Sequence, residues 1–533
     1  MRAKPFLLLF ALLLVPGLLF AGVTGKIKGK VIDRESKEAL VGANVAVEGT
    51  SYGAATDVNG EYTVLNVPAG VYTVKATYVG YSSVSVSNVR ISADLTTDLD
   101  FSLSTEAVAL TGVEIIAEKP LVNRSATNAV RVVSSEDLKN IPVRGIASVV
   151  ALQAGVVEQG GQIFIRGGRQ DEVGYYIDGA DARDARNGRL LVSVVPEALE
   201  EFQVQAGGYN AEYGGSNAGI VRQQLRTGTT DYSASLRVET DNFASGGEKV
   251  LGGYSYGYSD YSATFGGPIV SDKIKFFLAG RNTFQGDPTV AWWDPVVFDN
   301  LAEDAAGSNP DPNTGVPDTF SVNIPGGKVP GRKLESWAGN GTLTFDYNPI
   351  IVRLSASMNY TKTLFNTTPI RNILNQQRIP NQDESSGLFS AKLTHFVQPT
   401  TFYDLTVSYQ DNRFKRYDPL FEDDYLSYGD STANAAKGIL YFSRFLSPQD
   451  VRVNGFPFTR PGGLNLAGGA TVAYQKRKQN FISGALDITH QMKSHEFKGG
   501  FSYQRYTIRN YSFGRVEAML GTLLSNPDVA RTG

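Results

Sequence analysis

Apolar and polar residues alternate along most of this 533-residue chain, a pattern that is typical of β-strands with one buried face. Between residues 23 and 104 the alternating runs are short and are separated by turn residues. This spacing predicts a small β-sandwich of about 80 residues. A linker is expected over residues 105–122, with one short apolar run that could add as an edge strand to a partner sheet or simply connect two units. The run consists of Val113, Glu114, Ile115, Ile116 and Ala117.

The pattern changes over residues 123–230, where helical and strand periods are mixed. The stretches SSEDLKNIP and GIASVVALQAG predict two short helices, and strands are expected near residues 202–205 and 218–225. Between them, IFIRGGRQDEVGYYIDG (residues 163–179) places two glycines beside Arg166 and Arg169. A phosphate-binding loop would need a Lys-Ser or Lys-Thr pair that is absent here. The stretch is therefore interpreted as a strand, a glycine turn and a second strand.

Regular alternation returns over residues 231–533, as in VRLSASMNY, where Leu354 and Met358 share one face and Arg353 and Asn359 the other. We expect roughly nine strands between residues 231 and 511, the first over 231–242. Short and long links alternate along the chain, which is typical of membrane barrels with short periplasmic turns and long external loops. The predicted short links lie near 268–273, 348–350, 398–400 and 491–495, and the long ones near 286–335, 364–385 and 417–470.

The composition of the chain excludes several classes of function. A net charge of −3 argues against a nucleic-acid partner, and the absence of cysteine excludes disulfides and thiolate metal sites. Only three histidines are present, and no catalytic or metal-binding set is visible, so no cofactor, metal or enzyme activity is predicted. Residues 1–21 have a basic start, an apolar run and a plausible cleavage site. They predict a secretory signal peptide and hence an exported protein.

The sandwich carries a recognisable set of motifs. They resemble those of the carboxypeptidase-regulatory-like domain, and the resemblance implies a transthyretin-like sandwich without peptidase activity. The motifs are GKV at 29–31, GANV at 42–45, GT at 49–50 and GY at 80–81.

Four motifs in residues 123–230 resemble, in order and spacing, the plug domain of TonB-dependent outer-membrane receptors: IRG at 165–167, YIDG at 176–179, EYG at 212–214 and AGIV at 218–221. The resemblance implies a mainly β protein with a sandwich, an α/β plug and a transmembrane antiparallel barrel in the outer membrane. The function it implies is energised uptake of a scarce solute, with residues 113–117 as the segment that pairs with a TonB-type energy-transducing protein. Gly215-Ser216-Asn217 follows the EYG motif, unlike the run usual in glycan importers.

The resemblance also assigns candidate residues. Arg166 is expected to contact the barrel wall, because a guanidinium can bind a carboxylate through two hydrogen bonds. The charged run after Gly179 could face the external vestibule and the unknown solute, or be an ordinary solvated loop. The plug motif residues are Arg166, Gly167, Asp178, Gly179, Tyr213 and Gly214, and the possible ligand-facing residues are Asp181, Arg183, Asp184, Arg186 and Arg189.

Two expectations complete the picture. Nine strands are fewer than the 22 of a plugged transporter barrel, so residues 231–533 are expected to be the N-terminal part of a barrel whose gene continues in frame. The alternative function is a secreted or surface-attached adhesion protein that binds macromolecules without transport. The expected partners of the transporter are the TonB-type protein, outer-membrane lipid and the solute.

Overall fold

The computed structural model describes residues 24–513 except 94, 106–112, 117–129, 141–145, 161, 208–212, 245–247, 271–272, 288–291, 303–318, 325, 329–330, 332, 366–375, 399, 430, 439–451, 454–455, 458–473 and 493–494. The predicted signal peptide, Ala117 and Glu212 lie outside the described residues. Among the described residues, no helix is long and apolar enough to cross a membrane.

The first unit is the predicted β-sandwich. One sheet has the order β4-β1-β7, with β8 also paired to β1, and the other has the order β3-β2-β5-β6-β9. Ile27, Val31 and Val45 are fully buried between the two sheets. Its strands are β1 (Thr24–Asp33), β2 (Asn44–Val47), β3 (Gly53–Ala55), β4 (Glu61–Pro68), β5 (Gly70–Thr77), β6 (Val84–Ile91), β7 (Thr96–Asp98), β8 (Phe101–Leu103) and β9 (Val113–Ile116).

The last of these strands differs from the predicted linker. β9 pairs in parallel with β6, with Val84 opposite Val113 and Ser87 opposite Ile116. The reason is that β6 is otherwise the edge of its sheet, and an apolar β-prone run nearby can satisfy the backbone groups of that edge. The run therefore forms part of the sandwich.

The second unit, which we call the plug, is a five-stranded sheet of order β10-β15-β16-β13-β14 with a separate β11-β12 hairpin. The two predicted helices form beside the sheet, and both strand predictions near residues 202–205 and 218–225 are confirmed by β15 and β16. Its elements are β10 (Val130–Ser134), α1 (Ser135–Asn140), α2 (Ile146–Ala151), β11 (Val156–Gln159), β12 (Gln162–Ile165), β13 (Val173–Ile177), β14 (Ala180–Asp181), β15 (Leu199–Gln205) and β16 (Gly219–Leu225).

The remaining elements contain a large antiparallel sheet, which we call the wall. Nine strands pair in the order β17-β20-β21-β26-β27-β28-β29-β32-β33, as the alternation predicted. Chain order runs β17 (Ser233–Thr240), β18 (Lys249–Val250), β19 (Gly253–Tyr254), β20 (Tyr258–Val270), β21 (Ile274–Gln285), β22 (Trp292–Trp293), β23 (Val296–Ala302), β24 (Thr319–Ile324), β25 (Gly327–Lys328), β26 (Leu334–Tyr347), β27 (Ile350–Leu364), β28 (Asn381–Gln398), β29 (Thr401–Tyr417), α3 (Ser431–Ala436), β30 (Arg452–Val453), β31 (Phe456–Pro457), β32 (Gln475–Met492) and β33 (His495–Ser512).

The four predicted short links are confirmed, and all of them lie at one end of the wall, which we call the short-turn end. The sandwich contacts this end. Ser51 Oγ donates to Asp346 Oδ1 at 2.6 Å, Lys275 Nζ donates to the Gly49 carbonyl at 3.0 Å, and Lys26 pairs with Glu496 at 2.7 Å. The long links therefore lie at the opposite end of the wall from the sandwich.

The two faces of the wall differ in chemistry. In β27, Arg353 and Ser357 are buried on the face towards the plug, whereas Leu354 and Met358 on the opposite face are 39% and 51% exposed. Such apolar side chains repeat on this outer face along the sheet, as on Phe389, Val407 and Ile482. An outer face of this kind suits hydrocarbon, because each backbone group is already bonded within the sheet.

The apolar outer face generates a depth-dependent prediction. Leu354→Arg, in the middle of β27, should lower the free energy of unfolding in lipid vesicles by about 2–4 kcal/mol, because a cation would enter hydrocarbon. Tyr360→Arg, near the long-link end of the same face, is the matched control and should cost about 0–1 kcal/mol. Denaturant titration of the vesicle-inserted protein measures both. Equal losses at the two positions would contradict a membrane-facing outer wall.

Candidate functional site

The glycine-containing turn between β12 and β13 is confirmed as a tight turn. Arg166 and Gly167 both have left-handed backbone angles, with φ of 49° and 74°. Glu172 Oε2 accepts from the Arg169 backbone N–H at 2.8 Å and closes the turn. The turn therefore shapes the plug rather than holding a phosphate.

Arg166 does not make the predicted contact with the described part of the wall. Its side chain is exposed, its guanidinium lies beside Gly207 of the plug, and no hydrogen bond or ion pair joins it to the wall among the described residues. The described part of the wall therefore does not supply the expected partner of Arg166, and its contact with the barrel stays a prediction.

Asp178 takes the role that was expected of Arg166. It follows β13 with φ of 48° and is 3% exposed. Its Oδ1 accepts from the Leu225 N–H at 2.9 Å, and its Oδ2 accepts from Arg353 Nε at 3.1 Å, with Nη2 at 3.0 Å. Arg353 lies in β27 of the wall and also donates to the Leu225 carbonyl at 2.8 Å and to Thr227 Oγ1. One buried ion pair thus joins the plug to the wall.

Further polar contacts surround this pair. Asn340 Oδ1 accepts from the Val195 N–H at 2.8 Å, and Asn359 Oδ1 accepts from the Ser193 N–H at 2.8 Å. Wall side chains therefore bond directly to the backbone of the plug. A smaller apolar contact lies beside them, in which Phe277 and Leu388 of the wall join the same buried cluster as Leu199 of the plug.

The possible ligand-facing residues separate into two groups. Asp181 is 6% exposed and pairs with Arg183 at 2.6 Å, and Arg183 also donates to the Gly215 carbonyl at 3.0 Å. These two residues therefore satisfy the charge of each other, and Arg183 also bonds the plug backbone at Gly215. The same region holds the Tyr-Gly motif, where the buried Tyr213 ring lies 5.0 Å from that of Tyr176.

The other three residues do meet at a cavity. Asp184, Arg186 and Arg189 line a space of about 500 Å³ between the plug loop before β15 and the inner face of the wall. Arg186 is held by Asp184, at 3.4 Å between Nη2 and Oδ2. On the wall side, Arg281 is paired with Asp260 at 2.7 Å. Each of these two cations has a carboxylate of its own.

Arg477, on β32, is the residue that sequence reasoning missed. It lines the same cavity, is 8% exposed, and forms no ion pair with any carboxylate in the described part of the chain. Its guanidinium lies 4.7 Å from the centre of the Phe414 ring. The alternation of β32 would have placed it on the inner face with Gln479 and Phe481, so a signal was present. A buried cation without a carboxylate suits an anionic group in the cavity.

The sandwich also contacts the plug. Glu201 Oε1 accepts from the Ala93 N–H at 2.8 Å, and Gln203 Nε2 donates to the Ala93 carbonyl at 2.8 Å. Glu201 is 1% exposed, and burial raises the pKa of this carboxyl although the Ala93 hydrogen bond opposes the shift. β15, which lies between β10 and β16 in the plug sheet, is therefore also bonded to the sandwich through two of its side chains.

No group of three or more histidine or acidic side chains in the described ranges could hold a metal ion. The candidate partner-binding segment maps to β9, apart from Ala117.

Comparison with known proteins identifies the sandwich and the plug. Residues 27–115 match the family model of the CarboxypepD_reg-like domain, and residues 122–221 match that of the TonB-dependent receptor plug domain. The first match extends to residue 115 and so includes most of β9, in agreement with its pairing in the sandwich.

Two curated proteins are similar in sequence. The TonB-dependent transporter Oar of Myxococcus xanthus is 26% identical over 282 residues, which cover 48% of this chain and 26% of Oar. The TonB-dependent receptor P39 of Formosa agariphila is 28% identical over 238 residues, or 40% of this chain and 21% of P39. The matches thus span about a quarter of the length of these relatives. Among solved structures, the outer-membrane transporter YddB from Escherichia coli aligns with a TM-score of 0.45 at 10% identity, covering 72% of this chain and 49% of YddB.

The ion pair between plug and wall generates the prediction for this site. Asp178→Asn and Arg353→Gln should each open the plug–wall contact roughly 100-fold more often, because removing one member of a buried pair leaves an uncompensated charge. A single cysteine in place of the fully buried Leu199, which shares a cluster with Phe277 and Leu388 of the wall, reports opening through its labelling rate, since the chain has no cysteine of its own.

Arg166→Ala is the control and should leave the labelling rate unchanged, because its side chain is exposed. The double variant of Asp178 and Arg353 should be less damaging than the sum of the single variants, because the two residues share one interaction. Faster labelling in Arg166→Ala, with no effect of Asp178→Asn, would show that the contact is wrongly assigned.

Proposed function

We propose that this chain belongs to the TonB-dependent receptors, which reside in the outer membrane, and that the whole protein takes up a scarce solute through a plugged barrel, with energy delivered by a TonB-type partner. The observation that carries the proposal is the way the plug is held. The buried Asp178–Arg353 ion pair, a more exposed ion pair between Glu197 of the plug and Arg237 of the wall, and several side-chain to backbone hydrogen bonds join it to the wall. Such contacts can be exchanged for water, so the plug can be displaced and can return.

The segment that receives the pull is proposed to be β9 and the residue after it: Val113, Glu114, Ile115, Ile116 and Ala117. β9 is the last strand of its sheet, so one of its edges has no partner strand among the described residues. A strand from the TonB-type protein can add to that edge through backbone hydrogen bonds. The hydrogen bonds from the sandwich to Glu201 and Gln203 give the pull a route to the plug.

We propose that the solute carries a negative charge. Arg477 supports this choice, because it is buried at the cavity without a carboxylate of its own. Arg189 lines the same cavity from the plug and is exposed there. A solute that bridges Arg189 and Arg477 would contact plug and wall together, so its binding would be sensed at the interface that must later open.

The proposal includes the division of the chain. The chain is divided into five parts: a signal peptide at 1–21, a sandwich at 23–104, a connecting segment at 105–122 that contains β9, a plug at 123–230 and a barrel segment from 231 onward. Binding and transport, rather than catalysis or adhesion alone, are proposed as the activity, because a plug has a use only inside a pore.

Paired proline substitutions test the partner segment. Successive residues of a strand direct their N–H groups to opposite edges, so Glu114→Pro and Ile115→Pro remove donors from different edges of β9. One of the two should reduce energised uptake at least 10-fold without affecting the stability of the sandwich, and the other should weaken the pairing with β6. Uptake that remains at the wild-type level in both variants would remove β9 from the mechanism.

Arg477→Gln tests the charge of the solute. The variant should bind the transported solute roughly 10- to 100-fold more weakly, as expected for a lost charge-assisted hydrogen bond, whereas Arg477→Lys should keep part of the affinity. The measurement uses labelled ferric chelates, corrinoids, peptides and glycans, each in anionic and neutral forms. Lys273→Gln, at the short-turn end of the wall, is the matched control and should bind normally. Tight binding of a neutral solute that is insensitive to Arg477→Gln would contradict the proposal.

A further inference from the structure

The outer face of the wall carries basic residues in one zone only. On β27, β28, β29, β32 and β33, outward-facing residues lie in register across the sheet. Near the middle of the wall, one such row is wholly apolar and consists of Val352, Leu393, Leu405, Leu486 and Phe501.

Towards the long-link end the rows become basic. Arg413 lies opposite Lys478, and Lys478 lies opposite Arg509, so three cations stand side by side on neighbouring strands. The next row places Lys415 opposite Lys476, and Arg505 faces outward two rows below Arg509 on β33. We call this set the basic collar: Arg413, Lys415, Lys476, Lys478, Arg505 and Arg509.

The collar is not neutralised by carboxylates of the described chain. Asp411 pairs with Arg413 at 2.7 Å and lies 3.9 Å from Lys478, and Asp423 pairs with Lys415 at 3.1 Å. The other three collar residues form no ion pair with a described carboxylate. Like charges that face each other across neighbouring strands are unfavourable, so an arrangement of this kind needs anions from outside the protein.

The position of the collar indicates where those anions are. On β29, the exposed apolar side chains of Val407 and Tyr409 come directly before Asp411 and Arg413 along the same face. The change from apolar to charged residues occurs nearest the middle of the wall at Arg505 on β33, further out at Asp411 on β29 and furthest out at Lys362 on β27. A sloping boundary is expected, because barrel strands tilt by roughly 35–45° while the membrane surface is level. The collar therefore follows the level at which hydrocarbon gives way to headgroups.

The opposite end of the same face has a different composition. Its outward-facing residues on these five strands include Ile350, His395, Tyr403, Ile488 and Phe497, and none of the described ones is lysine or arginine. The cations are thus restricted to the end remote from the sandwich, which is the outer leaflet in the proposed orientation.

We propose that the basic collar binds the phosphate groups of anionic lipid headgroups in the outer leaflet of the membrane. Arginine binds phosphate through two parallel hydrogen bonds, and lysine adds a point charge. Cβ atoms of directly opposed residues lie about 4.5–5.5 Å apart, so one phosphate can contact two neighbours of the Arg413, Lys478 and Arg509 row. The inference rests on the outer-membrane orientation but not on any solute or partner.

The test uses the full-length protein, purified from outer membranes, and nanodiscs of neutral phosphatidylcholine that contain lipid A with both phosphates. The triple variant Arg413→Gln, Lys478→Gln and Arg509→Gln should bind this lipid roughly 100-fold more weakly at low salt, from about a fivefold loss for each cation at a charged surface. The control triple variant, Lys273→Gln, Lys275→Gln and Lys498→Gln at the short-turn end, should stay within about twofold of wild type.

Three comparisons define the ligand. Dephosphorylated lipid A should bind the wild type as weakly as phosphorylated lipid A binds the triple variant. Inorganic phosphate should not compete at millimolar concentration, and phosphatidylglycerol should bind less tightly than lipid A with two phosphates. Equal binding of phosphorylated and dephosphorylated lipid A, or wild-type affinity in the triple variant, would overturn the proposal.

Heat-modifiable electrophoretic mobility checks that each variant is folded, and Arg509→Gln alone, which should weaken binding several-fold, replaces the triple variant if that variant fails to insert. Because lipid binding is measured without transport, failure of the uptake proposal would leave this result unchanged.

Discussion

A buried carboxylate on the plug and a buried guanidinium on the wall hold the two units in one relative position. Neither Asp178 nor Arg353 could remain buried and charged alone, because each would lose its hydration without an opposite charge to replace it. Together they satisfy each other and also bond the Leu225 backbone, where β16 leaves the plug sheet. The pair therefore specifies which turn of the plug faces which strand of the wall.

The shape of the cavity depends on the same contact between plug and wall. With Asp178 fixed against β27, the loop that carries Asp184, Arg186 and Arg189 stands opposite the inner face of the wall, and Arg477 on β32 closes the space from the other side. The polar nature of the contact between plug and wall matters for function. A plug held only by apolar packing would be costly to move, whereas ion pairs and hydrogen bonds can be exchanged for contacts with water as the plug shifts.

Much of the architecture follows from local pattern. The period-two alternation over residues 231–511 predicts nine strands and the short links between them, because one face of each strand must be apolar and the other polar. The glycine turn after β12 can also be predicted from the sequence, because a turn with consecutive left-handed residues favours glycine. The candidate site is harder to predict from the sequence. Asp178 and Arg353 are 175 residues apart, and nothing local indicates that they meet.

The same limit explains the corrections. The bond from Arg183 to the Gly215 carbonyl depends on the fold of the plug, and the pairing of β9 with β6 depends on a free sheet edge that only the assembled sandwich provides. Arg477 lies between these cases. Its face follows from alternation, but its lack of a carboxylate is a property of the folded chain.

The central claim, that plug and wall must separate during transport, can be tested by a reversible covalent bridge. Ser193 and Asn359 are joined by a hydrogen bond of 2.8 Å between plug and wall, and the chain contains no cysteine that would compete. Cysteines at both positions, linked by a short reducible bis-maleimide, should stop energised uptake, and cleavage of the linker should restore it. Uptake that continues at the full rate while the bridge is intact would contradict the account.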